Sequence, residues 1–144
     1  HKNKETKQFC CLNIDARSLI NKVVELESVI IAHKPHMLII TESWLHRDID
    51  DDEITSPGYK MYRNDRDSLG GSVVIMFRES LYVTRLPNIK GIECAVVKML
   101  FDELHIVVGG FYCPPNCGDE FVEQLNEFLC QYKTNSCNVL IDGD

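Results

Sequence analysis

Three polar side chains follow apolar runs typical of buried strands, and their types suit metal-dependent phosphate chemistry. Asn13 follows "FCCL", Glu42 follows "MLIIT" and Asp144 follows "NVLIDG". In layered α/β folds ligands bind at strand ends, where the strands hold side chains rigidly. Carboxylates with an amide supply the hard oxygen ligands that Mg²⁺ prefers, and Mg²⁺ leaves room for water and a substrate phosphate. The set predicts phosphoryl transfer or phosphodiester hydrolysis.

Each of these residues also has a purely structural explanation. Asn13 and Asp144 could be turn residues, and Glu42 could cap a helix or lie on the surface. The functional prediction therefore depends on the three side chains converging from separate strands.

The elements that must position these residues begin with a β-α-β unit. "FCCLNI" predicts a buried strand that ends at Asn13, and "HMLIITES" predicts a second strand buried on both faces. Between them, apolar residues at helical spacing predict an amphipathic helix: Leu19, Val23, Leu26 and Ile30. Asp15 or Ser18 is a candidate cap for its start. We expect the two strands to end near each other.

The remainder predicts a meander of mostly antiparallel strands, then a helix and a last strand. The acidic connection "HRDIDDDEITSPGY" is more typical of a solvated loop than of a metal site. The strand segments are "YKMYRN", "SVVIMF", "LYVTRL", "ECAVVKML" and "LHIVVGGFY", with turns at Gly70-Gly71, Pro87-Asn88 and Asp102-Glu103. "DEFVEQLNEFLCQY" predicts the helix and "CNVLIDGD" the strand. The pattern indicates one α+β domain, layered as in α/β folds, or part of one.

Composition narrows the class of protein. The 144 residues carry a formal net charge of −7, which argues against binding nucleic acid by charge alone but not against a nuclease, whose metal inverts the local field. Seven cysteines without a CxxC pair disfavour zinc, and without a secretory segment they predict reduced thiols in an intracellular protein. No apolar run approaches the roughly 20 residues of a membrane helix, so no membrane partner is expected.

Four motifs in order resemble a known superfamily. "LNIDARSL", "IITESWL", "GGFYCPPN" and "VLIDGD" occur at about the spacing found in endonuclease/exonuclease/phosphatase proteins. They look most like the apurinic/apyrimidinic-type endonuclease domain of non-LTR (LINE-type) retrotransposons. The resemblance runs from Phe9 to the end, and residues 1–8 are expected to be a disordered lead-in. It implies that residues 9–144 are the N-terminal half of a four-layer α/β sandwich of the DNase I-like fold.

The resemblance also implies roles for individual residues. Glu42 matches the principal metal-binding residue and Asp15 a nearby acidic position, with Mg²⁺ or Mn²⁺ as the cofactor. Asn13 matches the residue that arranges the metal and the catalytic groups. Tyr112 matches a tyrosine at the phosphate, although packing at a strand end is an equal alternative. Asp144 matches the catalytic Asp of a Gly-Asp-x-Asn motif.

Further residues are candidates for substrate binding. Arg63 and Arg66 of "YRNDRD" could meet DNA phosphates, or they could form a surface salt-bridge cluster with Asp65. Asn116 of "YCPPN" is the third candidate, by resemblance. Cys113 stands where the retrotransposon pattern has a basic residue, which removes one phosphate contact.

The match stops inside the Gly-Asp-x-Asn motif, and the later Asp and Asp-His groups of the family are absent. Members of one catalytic unit act together, so the resemblance implies an incomplete, inactive and poorly soluble fragment. We expect it to supply about one sheet, whose uncovered inner face drives self-association. The function implied is DNA nicking by a retrotransposon endonuclease in the nucleus. The alternatives are a repair endonuclease or phosphatase, and a non-catalytic remnant.

Overall fold

Two four-stranded sheets and two α-helices make up the part of the chain that the computed structural model describes, residues 8–45, 48–64, 72–89, 92–113, 118–134 and 138–143. The strands are β1 (Cys11–Asp15), β2 (Met37–Thr41), β3 (Tyr59–Asn64), β4 (Val73–Arg78), β5 (Tyr82–Arg85), β6 (Glu93–Phe101), β7 (Leu104–Tyr112) and β8 (Asn138–Gly143). The helices are α1 (Val23–His33) and α2 (Asp119–Thr134).

The first sheet contains the predicted β-α-β unit. Its order is β1-β2-β4-β3, with β1 and β2 parallel and the other pairs antiparallel. The second sheet has the order β5-β6-β7-β8, and β8 joins it parallel to β7. The prediction of mostly antiparallel strands is confirmed, but the strands do not form one meander, because the chain crosses to the other sheet between β4 and β5. Strands such as β4, apolar on both faces, carry no pattern that assigns them to a sheet.

Period-two alternation in β1 decides what faces the helix and what faces the other sheet. Leu12 and Ile14 pack in the layer between this sheet and α1, where Leu26 and Ile30 are buried. Cys11 packs on the opposite, inner face, so Asn13 and Asp15 lie on that side as well.

The helical segment starts differently from the prediction. A 3₁₀ turn spans Leu19–Lys22 before α1 begins at Val23. Ser18 stands at the capping position but makes no capping bond, and its hydroxyl accepts a hydrogen bond from the Asn21 amide instead. Asp15 belongs to β1. The backbone of Ser18 is left-handed (φ 84°), a conformation that differs from the extended backbone of an ordinary N-cap.

The inner faces of the two sheets cover each other. The buried residues between them are Met37, Ile39, Val73, Ile75 and Phe77 from the first sheet and Ala95, Val97, Met99, Phe101 and Val108 from the second. A separate apolar layer under α2 includes Phe111 and Phe128. The order of layers is helix, sheet, sheet, helix. The expectation of one sheet with an uncovered inner face is therefore wrong, and the surface expected to drive self-association is covered.

Gly110 marks a close approach of the two sheets. A Cβ built on it would lie 2.6 Å from Cγ2 of Ile39 and 3.1 Å from Cγ1 of Val73. The first distance is shorter than real Cβ contacts and the second is tight, so a side chain here would require Ile39 and Val73 to shift. The spacing of the sheets near the strand ends therefore depends on this missing side chain.

An aromatic cluster closes the edge of the sandwich where β1 and β2 begin and β6 ends. Phe9, His36 and Phe101 form it, with ring centroids 4.9–5.7 Å apart. We call this the aromatic edge. The backbone N–H of Cys10 donates a 3.0 Å hydrogen bond to Nδ1 of His36. Burial first, and the nearby Arg78 second, lower the pKa of His36 from its ordinary 6.5.

The cysteines do not all follow the prediction. Cys10, Cys11, Cys94 and Cys130 are free thiols, whereas Cys113 takes part in a disulfide. Pairing depends on which sulfur atoms the fold brings together, which the number of cysteines does not reveal. Burial raises the pKa of the Cys94 thiol. Among the helices that the structure describes, none has the length and apolar character needed to cross a membrane.

Candidate active site

The strand ends that carry the predicted residues meet at the edge opposite the aromatic one, which we call the site edge. Asp15 and Thr41 end the parallel strands β1 and β2 side by side. In the second sheet Glu93, the first residue of β6, pairs with Tyr112, the last residue of β7. Because Ala95 and Gly110 face the first sheet, Glu93 and Tyr112 do so too.

A hydrogen bond between Tyr112 and Glu42 joins the two sheets at this edge. The Tyr112 hydroxyl donates to Oε1 of Glu42 at 3.1 Å. Glu42 directly follows β2, and its side chain is 21% exposed. Its backbone is left-handed (φ 50°), which costs about 1 kcal/mol or more for a residue other than glycine. The carboxylate is therefore held at a partly open position by an unusual backbone.

Arg17 brings the second carboxylate into the same group. Its Nε lies 3.8 Å from Oε2 of Glu42 and 3.9 Å from Oδ2 of Asp15. Its side chain is 73% exposed, so these long ion pairs contribute little stability. Asn13 lies on the same side of β1 as Asp15, two residues earlier and thus about 7 Å away along the strand.

Buried polar contacts behind Glu42 fix the loop that carries it. The hydroxyls of Ser43 and Ser72 lie 2.6 Å apart, and both side chains are fully buried. The N–H of Ser72 donates to Oε1 of Glu93 at 2.7 Å, and the Asn64 amide donates to the Cys94 carbonyl at 2.7 Å. The two sheets are therefore tied by polar bonds along the site edge, which places Tyr112 against Glu42 with little freedom.

The loops after β1 and β2 are also bonded to each other. The N–H groups of Ala16, Ser18 and Leu19 donate to the carbonyls of Thr41, Glu42 and Ser43 at 2.8–3.0 Å. Left-handed backbone recurs in these two loops, at Arg17, Ser18, Glu42 and Trp44. The ladder of the parallel pair thus continues past the strands, and the two loops form one rim.

Arg63 lies elsewhere. It pairs with Val74, whose side chain packs in the layer under α1, so Arg63 is on that outer side of the sheet. Its Nη1 donates to the carbonyl of Ile49 at 2.6 Å and to Oδ1 of Asp51 at 2.9 Å, and its side chain is 15% exposed. The geometry matches the salt-bridge alternative, with Asp51 as partner.

The structure thus brings Asp15, Glu42 and Tyr112 to one edge, places Asn13 in the middle of β1, and leaves Arg63 apart. Arg66, Asn116 and Asp144, together with Asp65, lie outside the described residues. Sequence reasoning missed Arg17, Trp44 and Glu93. Two of them could have been found from the sequence, because Arg17 and Trp44 each lie two residues after a predicted site carboxylate, Asp15 and Glu42. Glu93 becomes relevant only through its pairing with Tyr112.

The donor set suits Mg²⁺ better than zinc. Within the described ranges no three His, Cys, Asp or Glu side chains are grouped closely enough to enclose a metal. Mg²⁺ does not need such a cage, because it binds through one or two carboxylates and keeps several waters. Asp15 and Glu42, both beside Arg17, match that requirement, whereas zinc favours three or four nitrogen and sulfur ligands.

Comparison with solved structures identifies the fold. No family model matches the sequence, and no curated protein matches it either. Three similar structures are the endonuclease domain of TRAS1, a telomere-specific non-LTR retrotransposon (TM-score 0.69, 15% identity), the 3'-5' exonuclease NExo from Neisseria meningitidis (0.70, 16%) and an AP endonuclease from Archaeoglobus fulgidus (0.65, 14%). These matches cover 95%, 92% and 95% of this chain.

The same matches cover only part of the other proteins. The chain spans 58% of the TRAS1 domain, 56% of NExo and 57% of the AP endonuclease. All three are members of one superfamily, and the layers and sheets described above agree with theirs. The chain therefore has the fold of the endonuclease/exonuclease/phosphatase superfamily, over a little more than half the length of the members it matches.

Proposed function

We propose that this chain carries the metal-binding part of a Mg²⁺-dependent phosphodiesterase site that acts on DNA, in an endonuclease of the non-LTR retrotransposon type. The observation that carries the proposal is the hydrogen bond between Tyr112 and Glu42 at the junction of the two sheets, beside Asp15 and Asn13. The structural similarity to the TRAS1 endonuclease and the four ordered motifs support the retrotransposon type. The nucleus is the compartment that this function requires.

In this proposal Glu42 holds the metal, and Asp15 supplies the second carboxylate. Mg²⁺, or Mn²⁺ in its place, would neutralise charge developing on the phosphoryl oxygens and favour ionisation of a bound water. The Asn13 amide has two N–H donors for phosphate oxygens or water. Asp144, which follows Gly143 at the end of β8, stays a prediction as the acid or base.

Tyr112 has a single O–H proton, so it cannot donate to Glu42 and to a phosphate oxygen at the same time. In the structure it donates to Glu42, which orients the carboxylate. If Glu42 held a metal, its oxygens would have a stronger partner, and the Tyr112 hydroxyl would then be available to a phosphate oxygen. We propose this exchange as the role of Tyr112.

Metal binding tests the proposal directly. Calorimetric titration with Mg²⁺ and Mn²⁺ should show one site in the 144-residue chain, and Glu42→Gln should weaken it at least about tenfold because a charged ligand is lost. Glu79→Gln, an exposed carboxylate beyond β4 near the aromatic edge, is the matched control and should not change binding. Equal affinities of all three proteins would refute the assignment of Glu42.

We further propose that this chain alone binds metal but does not hydrolyse DNA, because it spans only 56–58% of the length of the similar enzymes. Nicking is measured by incubating the purified chain with supercoiled plasmid and Mg²⁺. Nicking by the chain that is lost in Glu42→Ala would contradict the proposed inactivity while supporting the metal site.

A second candidate is a repair endonuclease or phosphatase. The similarity to NExo and to the archaeal AP endonuclease supports this candidate, because their TM-scores (0.70 and 0.65) are close to that of the TRAS1 endonuclease (0.69). The two candidate functions can be distinguished by substrate preference, measured on an active protein that contains this chain. Preference for an abasic site or a 3′-phosphate would favour repair, and nicking of intact duplex DNA would favour the retrotransposon type.

A further inference from the structure

We propose that Trp44 is a stacking platform for an unpaired nucleobase next to the scissile phosphate, so that the substrate is DNA with a locally exposed base. This inference rests on the proposed function and names the form of DNA that the site takes. It starts from the position of Trp44, two residues after Glu42 and therefore within about 7 Å of it, Cα to Cα.

Trp44 is held outward between two buried neighbours. Ser43 is fully buried and bonded to Ser72, and Leu45 is 2% exposed in the core, whereas Trp44 is 44% exposed. Tryptophan has the largest apolar side chain, so this exposure forfeits hydrophobic stabilisation that an inward orientation would give. The burial on both sides shows that the loop is packed and that the indole is nevertheless presented to solvent.

The backbone of Trp44 is also in an unfavourable conformation. Its φ is 55°, and a left-handed backbone is unusual for a bulky residue. Such outliers cluster at sites that bind or react, where the surrounding structure maintains them. Other exposed apolar residues differ in this respect. Val24 and Ile31 are 77% and 74% exposed, but they lie in α1 with ordinary helical backbone.

A cation lies within ion-pair distance of Glu42. Arg17 is 73% exposed, also has a left-handed backbone (φ 46°), and belongs to the loop that is hydrogen-bonded to the loop of Trp44. Its ion pairs to Asp15 and Glu42 are long, so a phosphate can compete for its guanidinium. A guanidinium near the Glu42 carboxylate and an exposed indole two residues further along the chain would suit the phosphate and the base of one nucleotide.

The accessibility of the base follows from this geometry. In a regular duplex each base face is covered by its neighbours, so an exposed indole can stack only on a base that is unpaired, frayed or turned out of the helix. Stacking on an aromatic side chain does not depend on the identity of the base. We therefore infer a preference for exposed bases without a strong preference for their sequence.

Tryptophan fluorescence tests the inference, because Trp44 is the only tryptophan in the chain. The 144-residue protein is titrated in EDTA, which prevents metal-dependent hydrolysis, with three oligonucleotides of equal length: single-stranded dT, a blunt duplex, and a strand of abasic sugar-phosphate. We expect saturable quenching by the dT strand and little change with the duplex or the abasic strand. Binding of dT without quenching, or no binding of dT, would overturn the inference.

Variants at position 44 give a second readout. By anisotropy of a labelled dT strand, Trp44→Leu should bind roughly tenfold to a hundredfold more weakly, and Trp44→Phe should retain most of the affinity. Val24→Leu is the control for an exposed apolar residue outside the site and should bind as the parent does. Equal affinities of the Leu and Phe variants would show that no stacking occurs.

The outcomes separate this inference from the proposed function. If dT quenches the fluorescence and Glu42→Gln does not affect Mg²⁺ binding, the stacking site is supported and the assignment of Glu42 as the metal ligand is refuted. If Mg²⁺ binding depends on Glu42 but dT does not quench the fluorescence, the metal assignment is supported and the stacking site is refuted.

Discussion

The two edges of the sandwich are built from different chemistry. At the aromatic edge three rings pack together, and the left-handed residues nearby serve ordinary turns: Lys34 at the end of α1, and Asp102 and Glu103 in the two-residue hairpin of β6 and β7. At the site edge the sheets are joined by polar bonds. Four left-handed residues lie in the two loops that present Arg17, Glu42 and Trp44, and a fifth, Ser72, lies just before β4.

This difference indicates a division of labour along the strands. Aromatic packing stabilises the fold. That stability offsets the cost of the left-handed backbone, the charges and the exposed ring at the site edge. Substitutions at the first edge should therefore change stability, and substitutions at the second should change binding.

The largest expected effect is that of Phe101→Ala. Phe101 is 9% exposed and contacts both Phe9 and His36, so its loss should lower the free energy of unfolding by about 3–5 kcal/mol. Glu42→Gln keeps an acceptor for Tyr112 and should change stability by no more than about 1 kcal/mol. Urea denaturation measures both. A large loss in Glu42→Gln would break the proposed division.

Gly110→Ala should have an intermediate effect that reaches both properties. The new methyl group would press on Ile39 and Val73 and force the sheets apart, at about 1–3 kcal/mol of stability. Because Tyr112 is two residues further along β7, its contact with Glu42 should loosen and Mg²⁺ affinity should fall as well. Gly118→Ala is the control, since nothing lies within 4 Å of its Cβ position. An unchanged Gly110→Ala protein would show that the sheet spacing is not set there.

The smallest effect is a dependence of stability on pH at the aromatic edge. Since the pKa of His36 in the folded chain lies below 6.5, the unfolded chain binds a proton more readily. Stability should be fully present above pH 6.5 and should decline as the pH falls from there through the lowered pKa. Unfolding midpoints at pH 7.5 and 5.0 measure it. His36→Asn should reduce the difference, and the exposed control His105→Gln should retain it.

Much of this architecture is readable from the sequence. Alternation and helical spacing located the strands and helices, and the two parallel strands of the β-α-β start end side by side as predicted, although β1 continues past Asn13 to Asp15. The division into two sheets was not readable, because a strand such as β4, which is apolar on both faces, fits either sheet. The exposed ring of Trp44 was not readable either, since it depends on backbone angles that Ser43 and Leu45 impose from their buried positions.

The hydrogen bonds between the loops after β1 and β2 have a consequence for binding entropy. Ordering one residue of a flexible loop costs about 1–2 kcal/mol, and a site formed from free loops meets that cost whenever a ligand arrives. Here the ladder from Ala16 to Leu19 orders the rim during folding. A ligand that meets Arg17 and Trp44 therefore encounters a surface already in place, and its binding should be accompanied by little change in backbone order.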